Sequence, residues 1–290
     1  MAKRKHLHIS KEAKAALCFL APSLIGIAVM CLIPTVDVMR RAFFSAMGNS
    51  FVGLNNFIAV LTNASFALAV RNTARFLIVC IPLLLLLSLL TALLLVKQKR
   101  YQSFLKTTYL LPMVIPVTSV VLIIRVVFET NGLLNAVCAV FGITPIDWLN
   151  SDYAFLTLVL CYLWKNLGYN IVLWLAGLSA IPQSLYEAAR VDGASEWQCF
   201  RSITLPLIRP TVFVTAVLAL INSFKVFREA YLVAGRYPHR SIYMLQHVLS
   251  NWFTNLDMQK ISAAAVLLMA AILLVVLFVR WAARRRRALL

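Results

Sequence analysis

Four long stretches of this chain contain no charged side chain. They comprise residues 15–36, 76–96, 107–124 and 261–279. A helix needs about twenty apolar residues to cross the hydrocarbon core of a bilayer, and each stretch approaches or exceeds that length. Because lipid cannot satisfy exposed backbone polar groups, the stretches predict membrane-spanning helices. This feature excludes most soluble folds.

Two further apolar stretches carry polar interruptions. Residues 153–181 contain Lys165, and residues 209–233 contain Lys225, Arg228 and Glu229. In chain order these are spans 4 and 5 of six. The chain is 62% hydrophobic and 13% charged, against about 45–50% and about 25% in soluble domains. The sequence therefore predicts an all-α membrane protein with six transmembrane helices.

The net charge of +18 is distributed unevenly. Most of the 28 lysines and arginines precede span 1, follow span 2, lie in the loop at 182–209, or follow span 6. This positive-inside pattern predicts that both termini are cytoplasmic, although Arg40 and Arg41 run against it. The basic balance thus reflects topology, and no nucleic-acid partner is expected. The six cysteines lack metal-ligand spacing and are expected to be small buried hydrophobes.

The order of the spans organises the chain into two parts. Residues 1–70 would form a cytoplasmic tail, the first span and an outer segment with a short amphipathic helix around Phe57, Val60 and Leu61. Residues 71–285 would form the membrane core. The core contains the polar cytoplasmic loop at 182–209, and the outer loop at 129–152 contains another short helix candidate.

The polar loop has the signals of two short helices. Ser184 with Glu187, and Ser195 with Gln198, match the capping box, in which a serine side chain and a later Glu or Gln cap the first turn reciprocally. Gly193 can end the first helix in the left-handed conformation. Pro206 is expected to stop the second helix. From these residues alone, an amphipathic hairpin lying on the membrane surface remains the alternative to a docking element.

The same loop resembles the EAA signature of the permease subunits of ATP-binding cassette importers. The pattern E-A-A, D-G-A, F, I, L-P, P is complete. It comprises Glu187, Ala188, Ala189, Asp192, Gly193, Ala194, Phe200, Ile203, Leu205, Pro206 and Pro210. Wider features resemble the carbohydrate-uptake branch, with maltose-type and glycerol-3-phosphate-type permeases. The resemblance implies a type I importer (MetI-like) permease fold in a bacterial cytoplasmic membrane.

In that family the EAA segment is a pair of coupling helices that docks on a cytoplasmic ATPase. The resemblance therefore implies a coupling role for Glu187, Ala188, Ala189, Asp192, Gly193, Ala194, Phe200, Leu205 and Pro206. The implied partners are a second and different permease subunit, two ABC ATPase subunits, an extracytoplasmic solute-binding protein and a sugar. No phosphate-binding G-x-x-x-x-G-K-[ST] motif occurs, so ATP and Mg²⁺ are expected to be used by the partner ATPase. No catalytic residue, metal site or cofactor is expected in this chain.

Polar groups inside spans 4 and 5 predict the substrate path, because such groups usually face the bundle interior or a water-filled cavity. The candidates are Tyr162, Asn166, Tyr169, Asn170, Asn222, Lys225 and Glu229. Lys225 and Glu229 could pair at i,i+4 spacing, as could Arg125 and Glu129. Amides beside aromatic rings suit a neutral sugar. The alternative is that these groups only bind neighbouring helices.

Three functions are compatible with these patterns. The first is a permease subunit that imports a mono- or oligosaccharide. The second is the same machine for another solute such as glycerol 3-phosphate, which would favour convergent Arg or Lys. The third is an ion-coupled carrier acting alone, which predicts inverted repeats or buried acidic relays. Glu229 is the one acidic residue well inside a predicted span, which disfavours the third.

Overall fold

A computed structural model of the chain describes residues 11–46, 50–97 and 102–285. These residues are almost entirely helical. Six helices are long and apolar enough to cross a membrane, which confirms the all-α class and the number of spans. They are Cys18–Phe43, Ala64–Val96, Val117–Val140, Ala154–Ser179, Arg209–Ala234 and Met258–Leu277. The side of the membrane on which each terminus lies stays a prediction, and the tail residues 1–10 fall outside the described ranges.

The chain divides into two compact units. The first comprises Met1–Leu61 with Trp252–Ala270, and the second Thr62–Asn251 with Ala271–Leu290. In chain order, the described helices of the first unit begin with α1 (Lys11–Ile27), a π-helical turn (Ala28–Leu32), α2 (Ile33–Phe43) and α3 (Asn55–Leu61). The predicted division of the chain at residue 70 stays a prediction.

The short helix α3 packs on the end of α2. The rings of Phe43 and Phe57 lie 5.1 Å apart, and the Asn56 side chain donates to the carbonyls of Ala42 and Phe44. Phe57 and Val60 are buried, which confirms an amphipathic helix in this segment. Leu61 is exposed instead, so the apolar face is narrower than predicted.

The second unit contains most of the remaining helices. They are α4 (Ala64–Lys97), α5 (Gln102–Val114), α6 (Val117–Phe128), α7 (Leu133–Val140), α8 (Ala154–Ser179), α9 (Gln183–Val191), α10 (Glu196–Cys199), a π-helical turn (Phe200–Thr204), α11 (Leu205–Leu207), α12 (Arg209–Ser223), a 3-10 turn (Phe224–Val226), α13 (Phe227–Ala234) and a 3-10 turn (Arg240–Ile242). α14 (Leu245–Thr254) and α15 (Met258–Arg285) each cross the boundary between the units. α7 is the short helix expected in the outer loop.

The third apolar stretch does not form one helix as predicted. α5 ends at Val114 and α6 begins at Val117, with Pro116 between them in an extended conformation. Proline has no N–H to continue a helix and restricts the residue before it, so Ile115 and Pro116 break the run. The third candidate span therefore begins at Val117 and includes α7.

α8 is the central helix of the second unit and packs against both α4 and α5. A Cβ atom on Gly168 would lie 1.8 Å from the carbonyl oxygen of Tyr109. Only glycine permits this backbone approach between α8 and α5. Phe76 and Tyr162 pack edge to face, with ring centroids 5.3 Å apart, and they join α4 to α8 in the main apolar cluster.

The cysteines only partly match the expectation. All six are free; Cys80, Cys161 and Cys199 are buried. Cys18 and Cys31 are exposed, so the expectation of burial is wrong for them. Both lie on the first apolar helix, whose long apolar side chains are also exposed, as expected for a surface that faces lipid rather than water.

Candidate functional site

A cavity of about 250 Å³ lies between α8, the start of α6 and the fifth span. Its wall combines apolar side chains with a compact group of polar and charged ones. The lining residues are Met113, Ile115, Pro116, Val117, Cys161, Tyr162, Lys165, Asn166, Asn222, Lys225, Val226, Arg228 and Glu229. A polar wall within membrane-spanning helices is typical of a solute or ion path.

The fifth span is broken beside this cavity. α12 ends at Ser223, a 3-10 turn covers Phe224–Val226, and α13 begins at Phe227. A 3-10 turn within a helix often marks a functional hinge. The side-chain amide of Gln246 donates to the Phe224 carbonyl at 3.3 Å and supplies a partner at the break.

A buried ion pair joins α8 to the fifth span. The Lys165 ammonium donates to Glu229 Oε1, and the two side chains are 20% and 5% exposed. The predicted pairing of Lys225 with Glu229 is wrong. The 3-10 turn winds more tightly than an α-helix, which changes the angular relation of these residues. Lys225 Nζ instead donates to Asn222 Oδ1 at 2.8 Å.

The predicted pair at the end of α6 is also wrong. Arg125 donates across to the Val233 carbonyl of α13 at 3.4 Å. Within the described residues it forms no ion pair with Glu129. Glu129 lies just past the last residue of α6 in an extended conformation, so helical i,i+4 spacing does not apply to it.

Three polar side chains of α8 form hydrogen bonds to backbone carbonyls of α12 or of α8 itself. The Tyr162 hydroxyl donates to the Ala219 carbonyl of α12 at 2.8 Å. The amides of Asn166 and Asn170 donate back to the carbonyls of Tyr162 and Asn166, respectively. Asn170 Oδ1 is buried without a partner among the described residues.

The structure thus brings most of the candidate path residues to one cavity. Tyr162, Asn166, Asn222, Lys225 and Glu229 line it, whereas Tyr169 and Asn170 do not. Lys165 and Arg228, two further polar groups of spans 4 and 5, line the cavity as well. Their charge inside a span was the available signal.

The polar loop forms the expected two-helix hairpin, residues 183–208. Gln198 N–H donates to Ser195 Oγ, and Ser195 N–H donates to Gln198 Oε1, which confirms the second capping box. Gly193 has a φ of 79° and lies just past α9, which confirms the left-handed ending. α9 and α10 are further joined by an ion pair of 3.0 Å between Arg190 and Glu196.

Two local predictions for the hairpin are wrong. α9 begins at Gln183 directly after Pro182, so Ser184 already lies inside the first turn and caps nothing. Pro206 does not stop the second helix; it occupies the first turn of α11.

One face of the hairpin is anchored to the membrane helices. The hydroxyls of Tyr186 and Thr204 lie 2.8 Å apart and join α9 to the π-helical turn. Ile208 is buried against Trp174 and Leu178 of α8. This anchoring holds the hairpin on the ends of the spans rather than leaving it as a free loop.

The other face carries much of the signature and is uncovered by described residues. Glu187, Ala188, Asp192, Gly193 and Leu205 are exposed. Half-buried positions of the signature, Ala189, Ala194, Phe200 and Pro206, lie between the two faces. The sequence analysis missed Val191, which is 87% exposed. It lies one turn from Glu187 and Ala188, and that spacing was the signal.

The exposed surface of the hairpin therefore combines polar side chains with large apolar ones, Val191 and Trp197 among them. Aromatic side chains such as Trp197 are enriched at protein–protein interfaces. Whether each signature residue touches a partner stays a prediction, as does the contact of each cavity residue with a solute.

Residues 76–288 match the family model described as binding-protein-dependent transport system inner membrane component. The trehalose/maltose transport system permease of Thermococcus litoralis is 32% identical over 79% of each chain. The arabinooligosaccharides transport system permease of Bacillus subtilis is 34% identical over 79% of this chain and 74% of that protein. The sulfoquinovosyl glycerol transport system permease of Agrobacterium fabrum is 31% identical, with coverages of 86% and 84%.

The fold is also found in a solved structure. A crystal structure of a bacterial ABC transporter involved in the import of the acidic polysaccharide alginate contains a chain that superimposes with a TM-score of 0.82. That chain is 22% identical in sequence, and the match covers 95% of this chain and 96% of the other.

Proposed function

Because the chain belongs to the family of inner membrane components of binding-protein-dependent transport systems, we propose that it is a permease subunit whose cavity carries a sugar into the cell. It is a multi-pass protein of the inner membrane, and its relatives are permeases of sugar importers. The third alternative, an ion-coupled carrier acting alone, does not fit a binding-protein-dependent family.

The proposal rests on one observation: along the chain, the hairpin connects α8 and α12, two of the helices that line the cavity. α8 lines the cavity with Tyr162 and Asn166 and ends at Ser179, four residues before α9 begins. α12 begins at Arg209, directly after the hairpin, and reaches the cavity at Asn222. A displacement of the hairpin would therefore reach both walls through stiff helices. This arrangement supports coupling of an event at the hairpin to the opening and closing of the cavity.

The force on the hairpin would come from a separate ATPase. In this proposal two ABC ATPase subunits hold ATP and Mg²⁺, and one of them binds the exposed surface around Glu187, Val191 and Gly193. A second, different permease subunit would complete the path, and an extracytoplasmic solute-binding protein would deliver the sugar. The exposed side chains of Val191 and Trp197 on the hairpin support such docking.

Purification of the tagged chain in mild detergent from its host tests this assembly. We expect a second permease and an ATPase to copurify in stoichiometric amounts. Deletion of the chain should abolish uptake of at least one sugar that the associated binding protein recognises. Recovery of the chain alone, under conditions that preserve another importer of the same host, would contradict the proposed assembly.

The cavity itself is tested by its two amides. Asn166→Ala combined with Asn222→Ala should lower sugar uptake while the ATPase still copurifies, because neither residue lies on the hairpin. Unchanged uptake kinetics at equal expression would remove these amides from the path. A second candidate solute, glycerol 3-phosphate, is favoured by the basic residues of the cavity and would be recognised by uptake of that compound instead.

A further inference from the structure

The cavity wall carries more positive than negative charge. Lys165, Lys225 and Arg228 line it, and Glu229 is the one carboxylate among the lining residues. Glu229 is paired with Lys165. One ammonium and one guanidinium are therefore left without a counter-charge among the described residues, and a neutral sugar does not account for them.

Of these two cations, Arg228 has the fewer polar contacts with the rest of the protein. Its side chain is exposed and forms no hydrogen bond or ion pair with any other residue that the structure describes. It lies in α13, within a candidate span. A guanidinium that faced lipid there would be costly, so its position on a cavity wall indicates water or a bound solute as its surroundings.

Lys225 lies beside it on the same wall. Both residues line the cavity, and they are three apart in sequence. Lys225 gives one hydrogen bond to Asn222, and an ammonium has three donors. Two cationic groups with free donors thus stand together at the break of the fifth span.

Glu229 neutralises neither of these two cations. Its Oε1 accepts from the Lys165 ammonium, and its Oε2 is buried without a partner among the described residues, so it is not open to the cavity. The charged groups that line the cavity without a counter-charge among the described residues are therefore both positive.

We infer that the solute of this cavity is a polyhydroxylated molecule that carries an anionic group, such as a uronate, a sulfonate or a phosphate ester. Arg228 and Lys225 bind the anionic group. The inference rests on the proposed function, because it assigns the chemical class of solute to the same cavity. Charge-assisted bonds of this kind are stronger than neutral ones, and arginine can grip a carboxylate or phosphate with two parallel donors.

The charge preference of the cavity can be measured without a known substrate. Val117 lines the cavity, and Val117→Cys provides a reporter in the complete transporter, purified with its partner subunits. Anionic and cationic methanethiosulfonates of similar size are reacted with it, and the modification at position 117 is quantified by mass spectrometry. We expect the anionic reagent to react faster, and Arg228→Gln to lower the ratio of the two rates about tenfold.

Matched variants isolate the cause of that change. Lys225→Gln should lower the ratio in the same direction, whereas Arg228→Lys should largely retain it. Arg71→Gln removes an exposed arginine of α4 that does not line the cavity, and it should leave the ratio unchanged. Equal rates for the two reagents in the parent, or a ratio insensitive to Arg228→Gln, would overturn the inference.

Uptake by cells that carry the complete transporter separates this inference from the proposed function. The probes are glucuronate, glucose 6-phosphate, sulfoquinovose, cellobiouronate and glycerol 3-phosphate, offered beside glucose, cellobiose and glycerol. Uptake of an anionic probe that Arg228→Gln reduces at least tenfold, and Arg71→Gln does not, would support both. Uptake of neutral probes alone, unaffected by Arg228→Gln, would overturn the inference and leave the proposed sugar import standing. If no probe enters, sugar import fails for these compounds and the labelling ratio alone decides the inference.

Discussion

The cavity and the hairpin each contain an ion pair, but the pair in the cavity is largely buried and the pair in the hairpin is exposed. Each contains a basic residue paired with a glutamate. Lys165 and Glu229 are 20% and 5% exposed, whereas Arg190 and Glu196 are 57% and 66% exposed. The first pair lies between two membrane helices, and the second joins two short helices at the surface.

This difference in exposure indicates which polar residues stabilise the fold and which are available to contact a partner. Removing one member of a buried pair leaves a charge in a medium that solvates it poorly, so the remaining charge destabilises the fold. An exposed pair is hydrated and screened, and its loss costs little. We therefore expect substitutions in the cavity to affect both stability and transport, and substitutions on the hairpin to affect mainly transport.

Glu229→Ala should give the largest loss of stability. It leaves the Lys165 ammonium unpaired between α8 and α13, at a cost of about 3 kcal/mol in the free energy of unfolding. Unfolding in mixed micelles, followed by circular dichroism, measures the loss. A double variant, Lys165→Met with Glu229→Leu, removes both charges and should recover most of the stability. Equal destabilisation by the single and double variants would show that the pair does not carry the effect.

Gly193→Val should impair the coupling of the hairpin to transport while the protein still folds and inserts into the membrane. Gly193 has a φ of 79° and no neighbouring atom within 4 Å of an added Cβ, so the substitution meets backbone strain without a clash. The strain costs about 1–2 kcal/mol and changes the ending of α9. Membrane insertion should be retained while transport falls strongly. Gly193→Asn is the matched control, because asparagine tolerates this conformation; normal transport by Gly193→Val at normal expression would contradict the coupling role.

The sequence predicts the elements that depend on composition over many residues. The six spans follow from long apolar runs, and the position of the hairpin follows from the polar interval between spans 4 and 5. The capping box at Ser195 and the glycine ending at Gly193 were also predicted, because each depends on residues within one or two turns.

Features that depend on contacts across the fold, or on a few residues of backbone, were not predicted. Glu229 has a near partner in sequence, Lys225, but its partner in the structure is 64 positions away. The 3-10 turn at Phe224–Val226 is three residues long and contains no proline or glycine from which it could be predicted. The hydrophobic pattern therefore located the polar residues, and only the packing of α8 against the fifth span decided which of them meet.

Ser195→Ala and Ser184→Ala form a pair that tests local structure within the hairpin. Both serines match the capping box in sequence, but only Ser195 caps a helix in the structure. Ser195→Ala should cost about 1 kcal/mol through loss of the cap. Ser184→Ala should change stability by only a few tenths of a kcal/mol, because alanine suits a position inside the helix. Hydrogen exchange at the amide of Gln198 reports the first loss directly; equal effects of the two substitutions would place the start of α9 differently.

Arg190→Ala should have a small effect and completes the comparison with Glu229. It removes the exposed partner of Glu196, and surface pairs contribute about 0–1 kcal/mol. The loss should shrink further at high salt because the charges are exposed, whereas the loss caused by Glu229→Ala should hardly depend on salt. Unfolding of both variants at low and high salt measures this contrast. A large, salt-independent loss for Arg190→Ala would mean that the hairpin depends on this pair for its structure, and the division between a structural cavity pair and an available hairpin surface would then fail.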